Sequence, residues 1–138
     1  MKMGRALLLM MLASFGITYW LSMTLLLRTN ATNNLNKLYQ ALLMAFWMGV
    51  VMSLLDQDWR TAALLGMPVL ILSIAIREQW FIGEREFARS MIEHHQMAID
   101  MTRLAQPTLK DARLARIGDD ILRTQQQEID QFYHFLRQ

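Results

Sequence analysis

Hydrophobic and polar positions divide this chain into two regions that ask for different surroundings. Upstream of residue 77, three apolar runs, 6–27, 38–55 and 61–76, contain no charged residue. A helix needs about 20 residues to cross the roughly 30 Å hydrocarbon core of a bilayer, so the pattern predicts three membrane-spanning helices. The third run is short and is extended to 82 by letting Arg77 and Glu78 reach the interface, where Trp80 also fits. Tyr39 and Trp59 mark other boundaries, and the expected spans are about 6–27, 38–55 and 61–82. The first run is too long for a signal peptide and leads into Arg28-Thr29-Asn30 rather than small residues, which favours a retained span.

Downstream the period changes to that of amphipathic helices. Phe87, Met91, His94, Ala98, Met101 and Ala105 recur at spacings of three and four, predicting a helix over 84–106 that Pro107 ends. Proline also disfavours helical geometry at the residue before it, here Gln106. A second helix is expected over about 110–136, with Leu114, Ile117, Ile121, Thr124, Glu128, Phe132 and Phe135 on one face and Gly118 beside it. A short connection makes such helices antiparallel, so 83–138 reads as a helical hairpin with a soft point at Gly83. A hairpin cannot bury its own apolar stripe fully, and a twofold dimer making a four-helix bundle is the simplest remedy. The expected fold is therefore all-α: a transmembrane region, 1–82, followed by a hairpin that becomes a ferritin-like bundle on dimerisation.

Charge sharpens the division. Residues 1–76 hold 7 charged side chains and residues 77–138 hold 19. The net charge of +2 comes from the apolar half, since the polar half has 9 basic and 10 acidic residues, and nucleic-acid binding gains no support. The basic start, Lys2 and Arg5, favours a cytoplasmic N-terminus, and three spans then place the hairpin outside the cytoplasm. With no cysteine in the chain, disulfides, cysteine zinc sites and iron–sulfur clusters are excluded.

The candidate chemistry lies in Met91-Ile92-Glu93-His94-His95-Gln96-Met97-Ala98-Ile99-Asp100-Met101, which holds two of the three histidines. Met91, His94, Ala98 and Met101 fall on one helix face, so two thioethers and an imidazole point the same way. Thioether with imidazole favours copper, especially Cu(I). Di-iron and di-manganese bundles use Glu-x-x-His, but the residues three before His94, His95 and His134 are Met91, Ile92 and Gln131. Adjacent histidines diverge by about 100° on a helix, so His94 and His95 are expected to differ in role. Met97 sits beside the main face, Glu128 lies near the level of the histidine pair as a hydrogen-bond partner, and His134 is a weaker candidate near the chain end. Glu93 and Asp100 are candidates to orient a ring nitrogen, with a solvated face as their more ordinary role. Met44, Met48 and Met52 recur every four residues in the second span, where packing accounts for them better than metal transport.

These residues carry a resemblance. From Phe87 through His94-His95-Gln96-Met97-Ala98-Ile99-Asp100-Met101 to Gln126-Gln127-Glu128-Ile129 and Leu136, the chain resembles the domain-of-unknown-function 305 family, ferritin-like hairpins with a His-His pair followed by Ala-Ile-x-Met. The resemblance implies a membrane-tethered or secreted four-helix arrangement, periplasmic copper binding in some members, and Met91, His94, His95 and Met101 as metal ligands. The chain departs from the family pattern at Ala88, where Met is frequent, at Glu93, where Pro is frequent, and at Phe132, where Met is frequent.

The expectation is a multi-pass protein of the cytoplasmic membrane that displays a copper-binding hairpin on the outer side, buffering copper or handing it to copper-handling partners. It is expected to be a homo-oligomer and not an enzyme, since no nucleophile constellation, phosphate loop or paired catalytic carboxylate is evident. The rivals are an oligomerisation module without metal and, less well supported, a ferritin-like metal oxidoreductase.

Overall fold

The computed structural model describes residues 2–21 and 30–138, and its elements there are helices: α1 Lys2–Leu21, α2 Leu35–Leu55, α3 Trp59–Arg77, α4 Glu84–Ala105 and α5 Ala112–Leu136, with a 3-10 turn, Gln106–Thr108, between the last two. Residues 22–27 of the expected first span lie outside the described residues. The chain forms two compact units, one of 1–22 and 35–81, the other of 23–34 and 82–138.

In the first unit α2 is the central element, packed against α1 and α3. Its inner face is a column of small residues one turn apart, Ala41, Ala45, Gly49 and Ser53, all buried. Small side chains let helix backbones approach closely, the packing mode of helices that have no hydrophobic effect to drive them together. At Gly49 the neighbours close in: a Cβ there would stand 2.8 Å from both Met11 Sδ of α1 and Leu65 Cδ1 of α3. Outward-facing residues are largely apolar, with Leu8, Leu9, Leu12, Trp47, Leu64, Leu70, Ile71 and Ile74 among those exposed. Met44 is exposed and Met48 and Met52 are half-buried, off the column of small residues.

Among the described residues two helices, α2 and α3, are long and apolar enough to cross a membrane; α1 offers a shorter apolar stretch, Gly4–Trp20. α3 ends at Arg77, short of the expected extension to Ile82. The reason is a left-handed residue, Gln79 (φ 51°), which lets Trp80 N–H reach back to the Ala75 carbonyl at 2.9 Å and Gln79 N–H to Ile76 at 3.4 Å. This paired pattern caps a helix by turning the chain away. α2 ends the same way, with Gln57 (φ 57°), Asp58 N–H to Ser53 at 2.9 Å and Gln57 N–H to Leu54 at 3.0 Å. Asp58 then starts α3 by accepting from Thr61 N–H. Tyr39, near the start of α2, donates its hydroxyl to the Trp80 carbonyl just past α3.

In the second unit α4 and α5 form the expected antiparallel hairpin. Arg85 donates to the Leu136 carbonyl at 2.9 Å at one end, and Gln106 donates to Asp119 at 2.7 Å at the other. The core is Ile92 and Ile99 of α4 against Ile129 of α5, closed by Leu122, Phe132, Tyr133 and Leu136. Gly118 lets α5 approach Thr102, 3.4 Å from where its Cβ would be. Gln106 keeps right-handed helical geometry (φ −48°, ψ −43°) despite preceding Pro107, because the chain tightens into a 3-10 turn. Gly83 is an ordinary extended N-cap (φ −81°), so the unusual backbone of the connection lies instead at Gln79 and Phe81 (φ 59°).

One component of this unit carries no hydrophobic pattern. Residues 30–34 have no regular secondary structure and belong to the hairpin unit rather than to the helices they join. Thr32 donates to the Arg89 carbonyl at 2.7 Å, Asn34 to Glu93 at 3.0 Å and Asn30 to Gln96 at 2.8 Å, while Tyr133 donates to Asn30 at 3.0 Å.

Candidate metal-binding face

The faces of α4 sort its candidate residues. Ala88, Ile92, His95, Gln96, Ile99 and Asp100 are buried. The Met/His stripe is turned away from that core: His94 and Met101 are exposed, and Met91, Met97 and Ala98 are half-buried. On α5 the expected stripe is shared out likewise, with Leu114, Ile117 and Phe135 exposed and Ile121, Thr124, Glu128 and Phe132 half-buried. At about 100° per residue, Arg89, Glu93, Gln96 and Asp100 line the edge of α4 beside residues 30–34, and Phe87, Met91, His94, Ala98 and Met101 line the opposite edge. Phe87 meets Phe132 edge-on, centroids 6.0 Å apart, so the α4 and α5 stripes lie on the same side of the hairpin. That side is the one the hairpin leaves open.

His95 is spoken for. Its Nδ1 lies 2.7 Å from the Met91 carbonyl and its Nε2 2.5 Å from Glu128 Oε2. A carbonyl only accepts, so Nδ1 carries a hydrogen, and a single proton must lie between Nε2 and the carboxylate for that contact to be attractive. Phe132 packs edge-on over the ring, 5.7 Å between centroids. With both nitrogens engaged, His95 joins the two helices. His94 has its ring on the open side, 6.0 Å from that of His95.

Length limits how the stripe grips an ion. Met91 and Met101 are separated by ten residues, about 15 Å along the axis, further than two side chains leaning the same way can close on one ion. Neighbouring pairs on the helix are Met91 with His94, His94 with Met97, and Met97 with Met101. The donors suit a soft ion by type, and one helix supplies two donors at a time. Among the described residues no group of three or more His, Asp or Glu is placed to hold a metal. His134 is exposed near the chain end and contacts Gln138.

The acidic residues have duties of their own. Asp100, expected on a solvated face, is fully buried and accepts from Gln96 at 2.9 Å, with Arg103 at 3.9 Å. Glu93 accepts from Asn34 at 3.0 Å and lies 3.4 Å from the Thr32 hydroxyl. Nothing in the hydrophobic periodicity signals either role, because the partners of Glu93 lie outside the hairpin helices and those of Asp100 are polar side chains of α4 itself. The three departures from the family pattern are each used: Ala88 sits in the core, Glu93 holds residues 30–34, and Phe132 covers His95.

The model of the domain of unknown function DUF305 matches residues 84–138. An uncharacterized protein of Acanthamoeba polyphaga mimivirus is 33% identical over 136 residues, 94% of this chain and 90% of its own length. The chain belongs to the DUF305 family. Similarity to the viral relative extends across both units, so the sequence upstream of the hairpin is part of what the two proteins share. No solved structure matches the chain.

Proposed function

We propose that this DUF305 protein is a membrane-tethered copper-binding protein, its hairpin on the outer side of a cytoplasmic membrane, buffering Cu(I) or handing it on. The observation that carries the reading is the run of thioethers and an imidazole, Met91, His94, Met97 and Met101, along the open face of the hairpin. Thioether and imidazole donors without a carboxylate cluster favour a soft ion over a hard one. His95 and Glu128 act as a clasp that sets the register of the two helices, and ions are taken by neighbouring donors along the stripe, Met91 with His94, His94 with Met97, and Met97 with Met101. Because one helix presents two donors at a time, a second copy of the hairpin completes the coordination, and the apolar neighbours Phe87, Leu114 and Ile117 pack in the same dimer.

The anchor reading is supported by α2 and α3, apolar and largely exposed where the central helices of a soluble protein are buried. It is also supported by connectivity: residues 30–34, before α2, share a unit with the hairpin that follows α3, so a crossing by α2 is undone by α3. α1 then makes the third span.

Anaerobic titration of the full-length protein against a chromogenic Cu(I) chelator tests the metal reading. The Met91→Ala/His94→Ala/Met101→Ala variant is expected to lose affinity by at least tenfold, while His95→Gln retains most of it; equal affinities for the triple variant and wild type would sink the proposal. A second reading, an oligomerisation module without metal, is favoured by the exposed Phe87, Leu114, Ile117 and Phe135 on the same face. It requires the metal-free protein to be a dimer, which mass measurement in detergent decides.

A further inference from the structure

The five residues before α2 make an unusual investment in polar contacts. Tyr133 donates to Asn30, Asn30 to Gln96, and Gln96 to the fully buried Asp100, a chain of hydrogen bonds that runs from α5 through residues 30–34 into α4. Thr32 donates to the Arg89 carbonyl and also lies 3.4 Å from Glu93, which accepts from Asn34 at 3.0 Å. Asn34 is itself buried, 8% exposed. Among the described residues no buried side-chain nitrogen or oxygen lacks a partner. A fully satisfied polar network of this kind orders a segment more sharply than apolar contact does, since each bond has a direction and each lost partner leaves a buried group unpaired.

We propose that residues 30–34 are a latch. Docked on the polar edge of α4, the segment holds the hairpin unit at a second point beside its covalent connection at Phe81–Ile82, because the chain passes directly from Asn34 into α2 at Leu35. Undocked, the hairpin hangs from the 78–83 connection alone and rotates about it. The docked segment also covers one edge of α4, leaving the Met/His edge as the side of that helix open to a partner. The latch is independent of metal, so its failure and that of the copper reading are separable.

The absence of cysteine makes the test clean, since a single Gln131→Cys on the exposed side of α5 carries a spin label in the full-length protein in lipid nanodiscs. Asn34→Asp sets two carboxylates against each other across the contact to Glu93. Label mobility should rise, and amide exchange in residues 30–34 should accelerate on the order of tenfold, while the α4–α5 core stays protected. Adding Glu93→Gln restores a donor–acceptor pair and should return both signals to wild type. Thr32→Val, which removes only the hydroxyl contacts, should give an intermediate effect and serves if Asn34→Asp fails to fold. Unchanged mobility and exchange in Asn34→Asp and Thr32→Val, or no recovery in the double variant, would overturn the latch.

Discussion

A few single residues set local geometry out of proportion to their size. Gln57 and Gln79 occupy the left-handed position that ends α2 and α3, where an L side chain is strained and glycine is not. Gln57→Gly and Gln79→Gly are each expected to stabilise the protein by about 0.5–1 kcal/mol, read as a rise in thermal midpoint. Glu128→Ala removes the acceptor facing buried His95 Nε2 and should cost about 1–3 kcal/mol. Glu128→Gln offers Nε2 an amide donor in place of the shared proton and should cost less, so chemical denaturation of the two variants separates a hydrogen-bonding role from simple packing. At the other end of α5, Asp111 caps the helix; its hydrogen bonds from the Arg113 side chain and then from the Arg113 and Leu114 amides hold its carboxyl below the usual range. A carboxyl lowered by folding stabilises the native state above its unfolded value, roughly pH 3.9, and that contribution fades as the pH falls through the folded one. Fraying of the first turn of α5 is thus expected only in that acid range, and Asp111→Ala should remove the pH dependence there, followed by amide exchange at Arg113 and Leu114.

At the scale of elements, the two units are held by different means. The hairpin is held by large side chains: Ile92, Ile99 and Ile129 are almost wholly buried, each contributing about 2 kcal/mol by leaving water. Ile99→Ala should cost about 2–5 kcal/mol, measured as loss of helical signal in denaturant. The three-helix unit is held by small ones. At Gly49 the atoms a new Cβ would meet are the flexible ends of Met11 and Leu65, which can move, so Gly49→Ala should be tolerated. Gly49→Leu leaves them nowhere to go and should destabilise by about 1–3 kcal/mol, with α1 losing protection first. In the proposed membrane arrangement this difference has a physical reason, because apolar size stabilises packing where water is the alternative and close approach matters more where lipid is.

For the whole molecule, the arrangement proposed here makes the three-helix unit an anchor and the hairpin a displayed module. The full chain is expected to remain with the membrane fraction after an alkaline carbonate wash, and a tag at Gln138 should be accessible from outside the cell when one at the N-terminus is not. Recovery of the chain in the wash, or accessibility of both tags from the same side, would contradict the three-span arrangement. The similarity to the viral relative over nearly the full length of both chains is consistent with a hairpin that works together with its upstream helices.

The sequence by itself determined the elements and the character of the two regions. Charge-free runs and a spacing of three and four are local properties, so the five helices and the antiparallel hairpin are legible in it. It also placed Met91, His94, Ala98 and Met101 on one face, and Glu128 near the histidine pair. Which face turns inward was a matter for the tertiary structure. Two apolar stripes compete on α4, and the core takes the one through Ala88, Ile92, His95 and Ile99, because that face meets Ile129 while Gly118 and Thr102 allow close approach. The same choice buried His95 against Glu128 and left His94 exposed, a distinction that adjacency in the chain cannot make. The docking of residues 30–34 onto Arg89, Glu93 and Gln96 joins residues about sixty positions apart through polar side chains that have no periodicity, so only the folded chain brings them together.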